Sequence, residues 1–337
     1  MTDEIKIEPG HEFELVGARA NMHIDKNYAS QSFWKDVLAR FARNKGAIFG
    51  IIMITVIIAF AIIGPSMNDY DYDNVNLPHQ NLAPRIRGLE LLSVFNGTEN
   101  GVNRYRDLGL DDTYYWFGTD TLGRDQWTRT WEGTRISLFI AMIAVLIDML
   151  IGVGYGLTSG YFGGAVDGAM QRVVEILNGI PTLIIVTLLM LVMEPGLRSI
   201  IIALMLTGWI GMSRVARAQV LKLKEQEYVL AARTLGMGNF GLIFQEILPN
   251  IFGQLITMSM FSIPSAIFSE AFLSFVGLGV QTPMASLGSL INDGYKSFLN
   301  HPYMLVFPAA VLALLMLSFN LLADGLRDAF DPKMQEM

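Results

Sequence analysis

The sequence predicts an all-α membrane protein with six transmembrane helices, and three observations carry that prediction. Of its 337 residues, 52% are hydrophobic and only 16% are charged, where a soluble chain carries about 25% charge. The apolar residues fall in long uninterrupted blocks, with neither the alternation of a half-buried strand nor the stripe of a surface helix. The polar residues gather between those blocks, most of all in 65–135, which holds seven arginines, eleven acidic residues and no lysine.

The chain divides in order as follows. Residues 1–33 read as a polar cytoplasmic tail. Met1 to Gly10 lack the basic start and short apolar core of a cleavable signal peptide. In 34–64 an amphipathic segment comes first. Its Trp34, Val37, Leu38 and Phe41 recur at helical spacing beside Lys35, Arg40, Arg43 and Lys45. Such a segment lies in the headgroup layer or forms the first turns of the helix after it. The run from Gly46 to Gly64 carries no charge. At 1.5 Å per residue it is roughly 28 Å long, enough to cross the hydrocarbon core. Its basic preface places the N-terminus in the cytoplasm.

Residues 65–135 then form an extracytoplasmic loop or cap, too long for its arginines to set topology. The core, 136–323, holds five further spans near 137–158, 168–193, 197–215, 251–272 and 304–323. Pro181 interrupts the second of these. Six crossings return the C-terminus to the cytoplasm, where 324–337 form a tail. The loops 159–167 and 216–250 face inward, and the latter carries Arg217, Lys222, Lys224 and Arg233. The connections 194–196 and 273–303 face outward.

Several functions are excluded or disfavoured. There is no cysteine, hence no disulfide or thiolate chemistry. A net charge of −7 does not suit a nucleic-acid partner. No Gly-x-x-x-x-Gly-Lys-Ser/Thr, His-Glu-x-x-His or Gly-x-Ser-x-Gly occurs, so the chain carries neither a P-loop nor a recognisable hydrolytic centre. The four histidines, His11, His23, His79 and His301, all fall outside the predicted spans. No catalytic residue, metal site or bound cofactor is expected. An ion-driven transporter or channel needs intramembrane charge relays and usually an internal repeat, and neither is evident.

Ionisable groups inside spans are costly and face protein or water. Asp148 sits mid-span and Glu270 near the outer end of its span; each either lines an aqueous path or bonds to a neighbouring helix. Arg172 and Glu175 are spaced to pair on one helix face. Before the second span, Gly118, Thr119, Asp120, Gly123, Arg124, Asp125 and Arg129 form a dense polar segment. Its charges can pair locally, and its glycines permit sharp turns. It either packs over the outer mouth to receive a partner or only orders the start of the span.

The inner loop is the most informative stretch. Glu227, Tyr228, Ala231, Ala232 and Arg233 lie in a good helix former that stops at Gly236. Asn239 is placed to cap a second short helix, and Leu248-Pro249 to open the next span. Small residues at 231, 232 and 236 allow a partner to approach the backbone. A plain connection between two spans is the alternative.

This loop resembles the cytoplasmic EAA loop of ABC importer permeases, which reads Glu-Ala-Ala, three residues, Gly, nine residues, Ile-x-Leu-Pro. Ala231, Ala232, Gly236, Leu248 and Pro249 match in spacing, while Leu230 and Glu246 replace the motif's Glu and Ile. The stretch from Phe117 to Ser137 is similar to the C-type permeases of oligopeptide, dipeptide and nickel importers. So are Gly160–Gly164 with Asp167, Ile180-Pro181, Leu273–Gly279, and Asn320–Asp328 with Asp331-Pro332. The resemblance covers roughly 34–45 and 115–333 in order.

It implies the type I ABC importer permease fold in a bacterial inner membrane. It also implies that the short inner helix docks on an ATPase subunit. The implied partners are a second homologous permease, two ABC ATPases that hold ATP and Mg, and an extracytoplasmic substrate-binding protein. The implied cargo is a peptide, with nickel or another small solute as the alternative.

Overall fold

In a computed structural model, residues 33–194 and 196–330 are described; most of the N-terminal tail, Pro195 and the end of the C-terminal tail lie outside them. The described residues form helices joined by an irregular outer cap, with three isolated β-bridges and no sheet. Among the described residues five helical segments are long and apolar enough to cross a membrane, and a bent pair makes six where it counts as one span.

Helix α1 (Phe33–Phe41) is separate from α2 (Lys45–Ile63). The Asn44 side chain accepts the Ala47 amide at 3.1 Å and caps α2, which settles the amphipathic segment as its own helix. Val37 is buried, while Trp34 and Leu38 stay exposed. Much of the α2 surface is exposed isoleucine and phenylalanine, as a lipid-facing helix requires.

The cap follows and contains the short helix α3 (Arg104–Asp107). Its small core is Leu82, Tyr105 and Tyr115, with Tyr70 stacked on Tyr115 at 4.4 Å. The Tyr105 hydroxyl donates to the Ala83 carbonyl at 2.8 Å.

Helix α4 (Gln126–Ile147) begins at Gln126, not near 137, because Asp125 caps it. The expected boundary between cap and core therefore shifts toward the N-terminus. After Ile147 the ladder widens into one π-type turn at Asp148–Gly152, and α5 (Val153–Phe162) continues the span. The next span is broken: α6 (Gly164–Gly179) and α7 (Thr182–Met193) meet at 79° across Ile180-Pro181. Proline cannot donate to the helix ladder, and it pushes the preceding residue out of the helical region.

Helices α8 (Leu197–Thr207) and α9 (Ile210–Leu223) form the following span, longer than the expected 197–215. Gly152, which closes the π-type turn, and Gly156 and Gly160 of α5 lie against α9. A methyl group on any of them would fall within 3 Å of Met212, Ser213 or Val220. Small residues at every fourth position let two helices close without hydrocarbon between them.

The inner loop holds α10 (Glu227–Thr234) and the single turn α11 (Asn239–Gly241). A second π-type turn, Leu242–Ile247, leads into α12 (Leu248–Phe275). The short helix α13 (Leu287–Lys296) follows, and α14 (Tyr303–Phe330) completes the bundle. Residues 324–330, expected in a tail, are helical. Gly325 packs on Ala47, and Asn44 donates to Asp328 at 3.1 Å.

Candidate functional site

Three groups of predicted residues sit at three levels of the bundle. At the inner level, α10 is held by one buried side chain. Val229 is fully buried in an apolar cluster with Tyr161, Val220, Leu242 and Ile251, and Ala232, Met237 and Leu248 pack at its edge. Tyr161 holds the loop twice. Its hydroxyl donates to the Asn239 side chain at 2.8 Å, and its ring lies 5.9 Å below the Arg233 guanidinium. Asn239 is thus tied to α5 and does not cap α11; the extended residue before that turn is Gly238.

Gly236 has φ +90°, in the region that favours glycine. A Cβ there would meet nothing within 4 Å, so the conformation, not space, calls for glycine. Tyr228, Leu230 and Leu235 are exposed. Tyr228 and Leu235, with Ala231 and Gly236, leave an apolar recess on the surface beside α10, rimmed by Glu246. Pro249 sits in the first turn of α12.

Beside this loop the ends of α5, α6 and α9 are clamped. Arg217 donates two hydrogen bonds to Asp167 at 2.5 and 2.6 Å. Lys224 Nζ donates to the Gly160 carbonyl at 2.9 Å. Arg172 and Glu175 pair at 2.7 Å on the exposed surface of α6.

At the opposite level, beside the cap, the Gly118–Arg129 segment is buried except for Thr121 and Leu122. Thr119, Asp120, Arg124, Asp125 and Arg129 are each no more than 5% exposed. Arg124 binds Asp120 at 2.7 Å, and Arg129 approaches the same carboxylate at 3.6 Å. Asp125 joins no ion pair here. It caps α4 by accepting the Thr128 amide at 2.8 Å and the Asn68 side chain at 2.9 Å. Burial raises the pKa of its carboxyl group above the ordinary range.

Gly123 has φ +74°, and its Cα faces the Asn76 carbonyl so closely that a Cβ would lie 1.8 Å away. Gly118 faces the Leu82 carbonyl and Tyr303 in the same way. Tyr303 donates to the Thr119 carbonyl at 2.9 Å, and Phe117 stacks on Phe307 at 4.0 Å. The segment is therefore the floor of the cap and the start of α4. These covered side chains order the start of α4 and the base of the cap, while Thr121 and Leu122 of the same segment stay exposed.

Within the bundle the two span carboxylates separate. Glu270, expected as a possible pathway residue, is fully buried and bonded. Ser137 of α4 donates to it at 2.9 Å and Ser274 of α12 at 2.6 Å, while Ser137 accepts the Leu287 amide of α13 at 3.3 Å. It joins three helices and borders none of the bundle's cavities described here. Asp148, in the π-type turn, faces a cavity of about 370 Å³ between the α6–α7 break, the α8–α9 junction and α12. No protein group bonds to its Oδ1. The glycine repeat on α5, the Arg217–Asp167 clamp and the Val229 anchor were missed by sequence reasoning. Only the four-residue spacing of the glycines was there to be read.

Residues 152–336 match the family model described as binding-protein-dependent transport system inner membrane component. Residues 32–84 match the N-terminal TM domain of oligopeptide transport permease C. The chain is 43% identical over 328 residues to the oligopeptide transport system permease protein OppC of Bacillus subtilis (strain 168), covering 97% of this chain and 99% of that one. To the dipeptide transport system permease protein DppC of the same strain it is 44% identical over 307 residues, covering 91% and 88%. A chain of the MetNI methionine ABC transporter in an inward-facing conformation superposes with a TM-score of 0.48 at 17% identity. That match covers 60% of this chain and 95% of the other.

Proposed function

The chain belongs to the binding-protein-dependent transport inner-membrane components, the permeases of ABC importers, and from that membership we propose that it forms half of a peptide translocation pathway. Its relatives are oligopeptide and dipeptide permease proteins by name, and peptides are the cargo we assign. A second, homologous permease supplies the other half. Two ATPase subunits bind ATP and Mg beneath it, and an extracytoplasmic binding protein delivers the peptide. Both termini face the cytoplasm, where the basic residues around α1 and α9 lie.

One observation carries the coupling role. Helix α10 is anchored by a single buried valine, while Tyr228, Leu230 and Leu235 remain exposed around small residues. An apolar recess on a polar inner surface is suited to a partner. In this reading α10 seats in an ATPase groove. Closure of the two ATPases moves it, and the spans follow between inward- and outward-facing states. That is a two-state equilibrium biased by ATP-dependent contacts. Where the motif's acidic residue would stand there is Leu230, so apolar packing takes over from charge.

Leu235→Glu tests docking. Leu235 is 89% exposed, so the change leaves folding within about 0.5 kcal/mol. The expected result is normal membrane insertion with the ATPases no longer co-purifying. Retained co-purification and uptake would remove α10 from the docking surface.

A further inference from the structure

The bundle cavity has a chemical bias of its own. Asp148 is the only ionisable side chain on its wall. That carboxylate is 6% exposed, and its Oδ1 has no protein partner. Ser262 is its one side-chain hydrogen-bond partner, and burying a carboxylate with one oxygen open and no cation beside it is expensive; a folded chain keeps one where something else completes it.

The rest of the wall points the same way. Ser262, Ser265 and Ser269 follow at helical spacing along α12, and Thr207 faces them from the end of α8. Ser265 donates its proton to the Phe261 carbonyl at 3.0 Å and Ser269 to the Ser265 carbonyl at 2.8 Å. Thr207 donates to the Ala203 carbonyl at 3.3 Å. With their protons turned to the backbone, the hydroxyls of Thr207, Ser265 and Ser269 offer lone pairs to the cavity, while Ser262 hydrogen-bonds to the Asp148 carboxylate. The wall therefore combines one negative charge, several acceptors and no cation.

We propose that Asp148 and the α12 serines form an ammonium-binding subsite that holds the positively charged group of a peptide in transit. This deepens the peptide-import reading and rests on it. An ammonium group brings three donors and one positive charge, which complements a carboxylate ringed by hydroxyl acceptors. A peptide can supply it from its N-terminus or from a lysine side chain. The carboxylate sits beside the π-type turn and the Gly208 junction, where the wall changes shape most readily. Tight binding in one state can therefore be loosened in the other.

The test uses the assembled importer in nanodiscs and three probes: trialanine, N-acetyl-trialanine and N-acetyl-Ala-Lys-Ala. Equilibrium dialysis without binding protein isolates the membrane site, and uptake of trialanine into proteoliposomes is measured in parallel. In the natural protein, acetylation of trialanine should weaken binding about tenfold, some 1.4 kcal/mol. Recovery with N-acetyl-Ala-Lys-Ala would assign the site to any ammonium; no recovery would assign it to the N-terminus.

In Asp148→Asn, free and acetylated trialanine should bind equally. Should that variant not assemble, Asp148→Glu, which keeps the charge, must retain a penalty of the same sign. Equal binding of both trialanines by the natural protein overturns the subsite, as does an unchanged penalty in Asp148→Asn or its loss in Asp148→Glu. An importer that takes up no peptide overturns the peptide reading itself and the subsite with it.

Discussion

Glu270 offers the sharpest test of how the bundle is held. Its carboxyl group accepts one hydroxyl proton on each oxygen, from Ser137 at 2.9 Å and Ser274 at 2.6 Å. No cation offsets the charge among these partners. In Glu270→Gln the shape stays. The amide oxygen keeps the Ser137 bond, the amide nitrogen can donate to Ser274, and Ser274 turns its own proton to a carbonyl one turn back. The group also sheds the cost of burying a charge, so the change should lie within about 1 kcal/mol of neutral. Glu270→Ala is different. It strips two buried hydroxyls of their acceptor, at about 1–3 kcal/mol each, and leaves a void comparable to a leucine deletion. The expected loss is about 3–5 kcal/mol, felt at the junction of α4, α12 and α13. Thermal melting of the detergent-purified importer, read beside uptake, separates the two. Glu270→Gln should melt and transport normally, while Glu270→Ala should melt much lower. A Gln variant that melts normally but takes up no peptide would return Glu270 to the pathway and refute the stapling role.

Further perturbations probe other levels. Gly236→Val forces a branched side chain to φ +90°; it should cost about 1–3 kcal/mol locally, distort the α10 turn and uncouple ATP hydrolysis from uptake. Coupled transport in that variant would disprove the need for the turn. Gly123→Ala places a methyl group on the Asn76 carbonyl, so limited proteolysis should cut within 67–122 while the inner loop stays protected. His79 donates to or accepts from Tyr115 at 2.7 Å, and burial holds its imidazole below the ordinary 6.5. The unfolded cap therefore takes up a proton first. Cap stability should be flat above about pH 6.5 and fall as pH drops below it, with hydrogen exchange in the cap as the measure and His79→Gln abolishing the dependence.

The number of spans was legible because hydrocarbon imposes length and apolarity directly on sequence. Their limits were less so, for identifiable reasons. Helix α4 starts at Gln126 because its first turns pass through the protein interior of the cap, where Arg129 and Thr134 are buried against protein and not lipid; hydropathy cannot distinguish that from a loop. Helix α14 reaches Phe330 because Gly325 meets Ala47, a contact 278 residues apart in sequence. The inner helix was readable from propensity and from Gly236. Its anchor was not, since Val229 differs in no local respect from an exposed valine. The two span carboxylates show the same limit. Asp148 and Glu270 are equally anomalous in sequence, and only the three-dimensional placement of Ser137, Ser274 and α13 tells the carboxylate bonded on both oxygens from the one with an open oxygen.

That distinction bears on where the bundle can move. Three interruptions of regular helix meet at one cavity: the π-type turn at Asp148, the 79° break at Ile180-Pro181 and the junction at Gly208. Each falls in a different helical segment, and each departs from the regular helix on either side of it. Together they are tolerable because they face one another across a space that water and cargo can occupy. Helix α9 runs from the third interruption to the start of the α10 loop, and the glycines of α5 lock α9 to the helix that carries the first. A displacement of α10 is therefore passed by a rigid pair, α5 with α9, to the two interruptions nearest Asp148. Bending concentrates where helices are already broken. In the proposed cycle, the acceptor that binds cargo and the points where the wall bends are thus the same few residues, so reshaping the cavity and releasing the peptide become a single event.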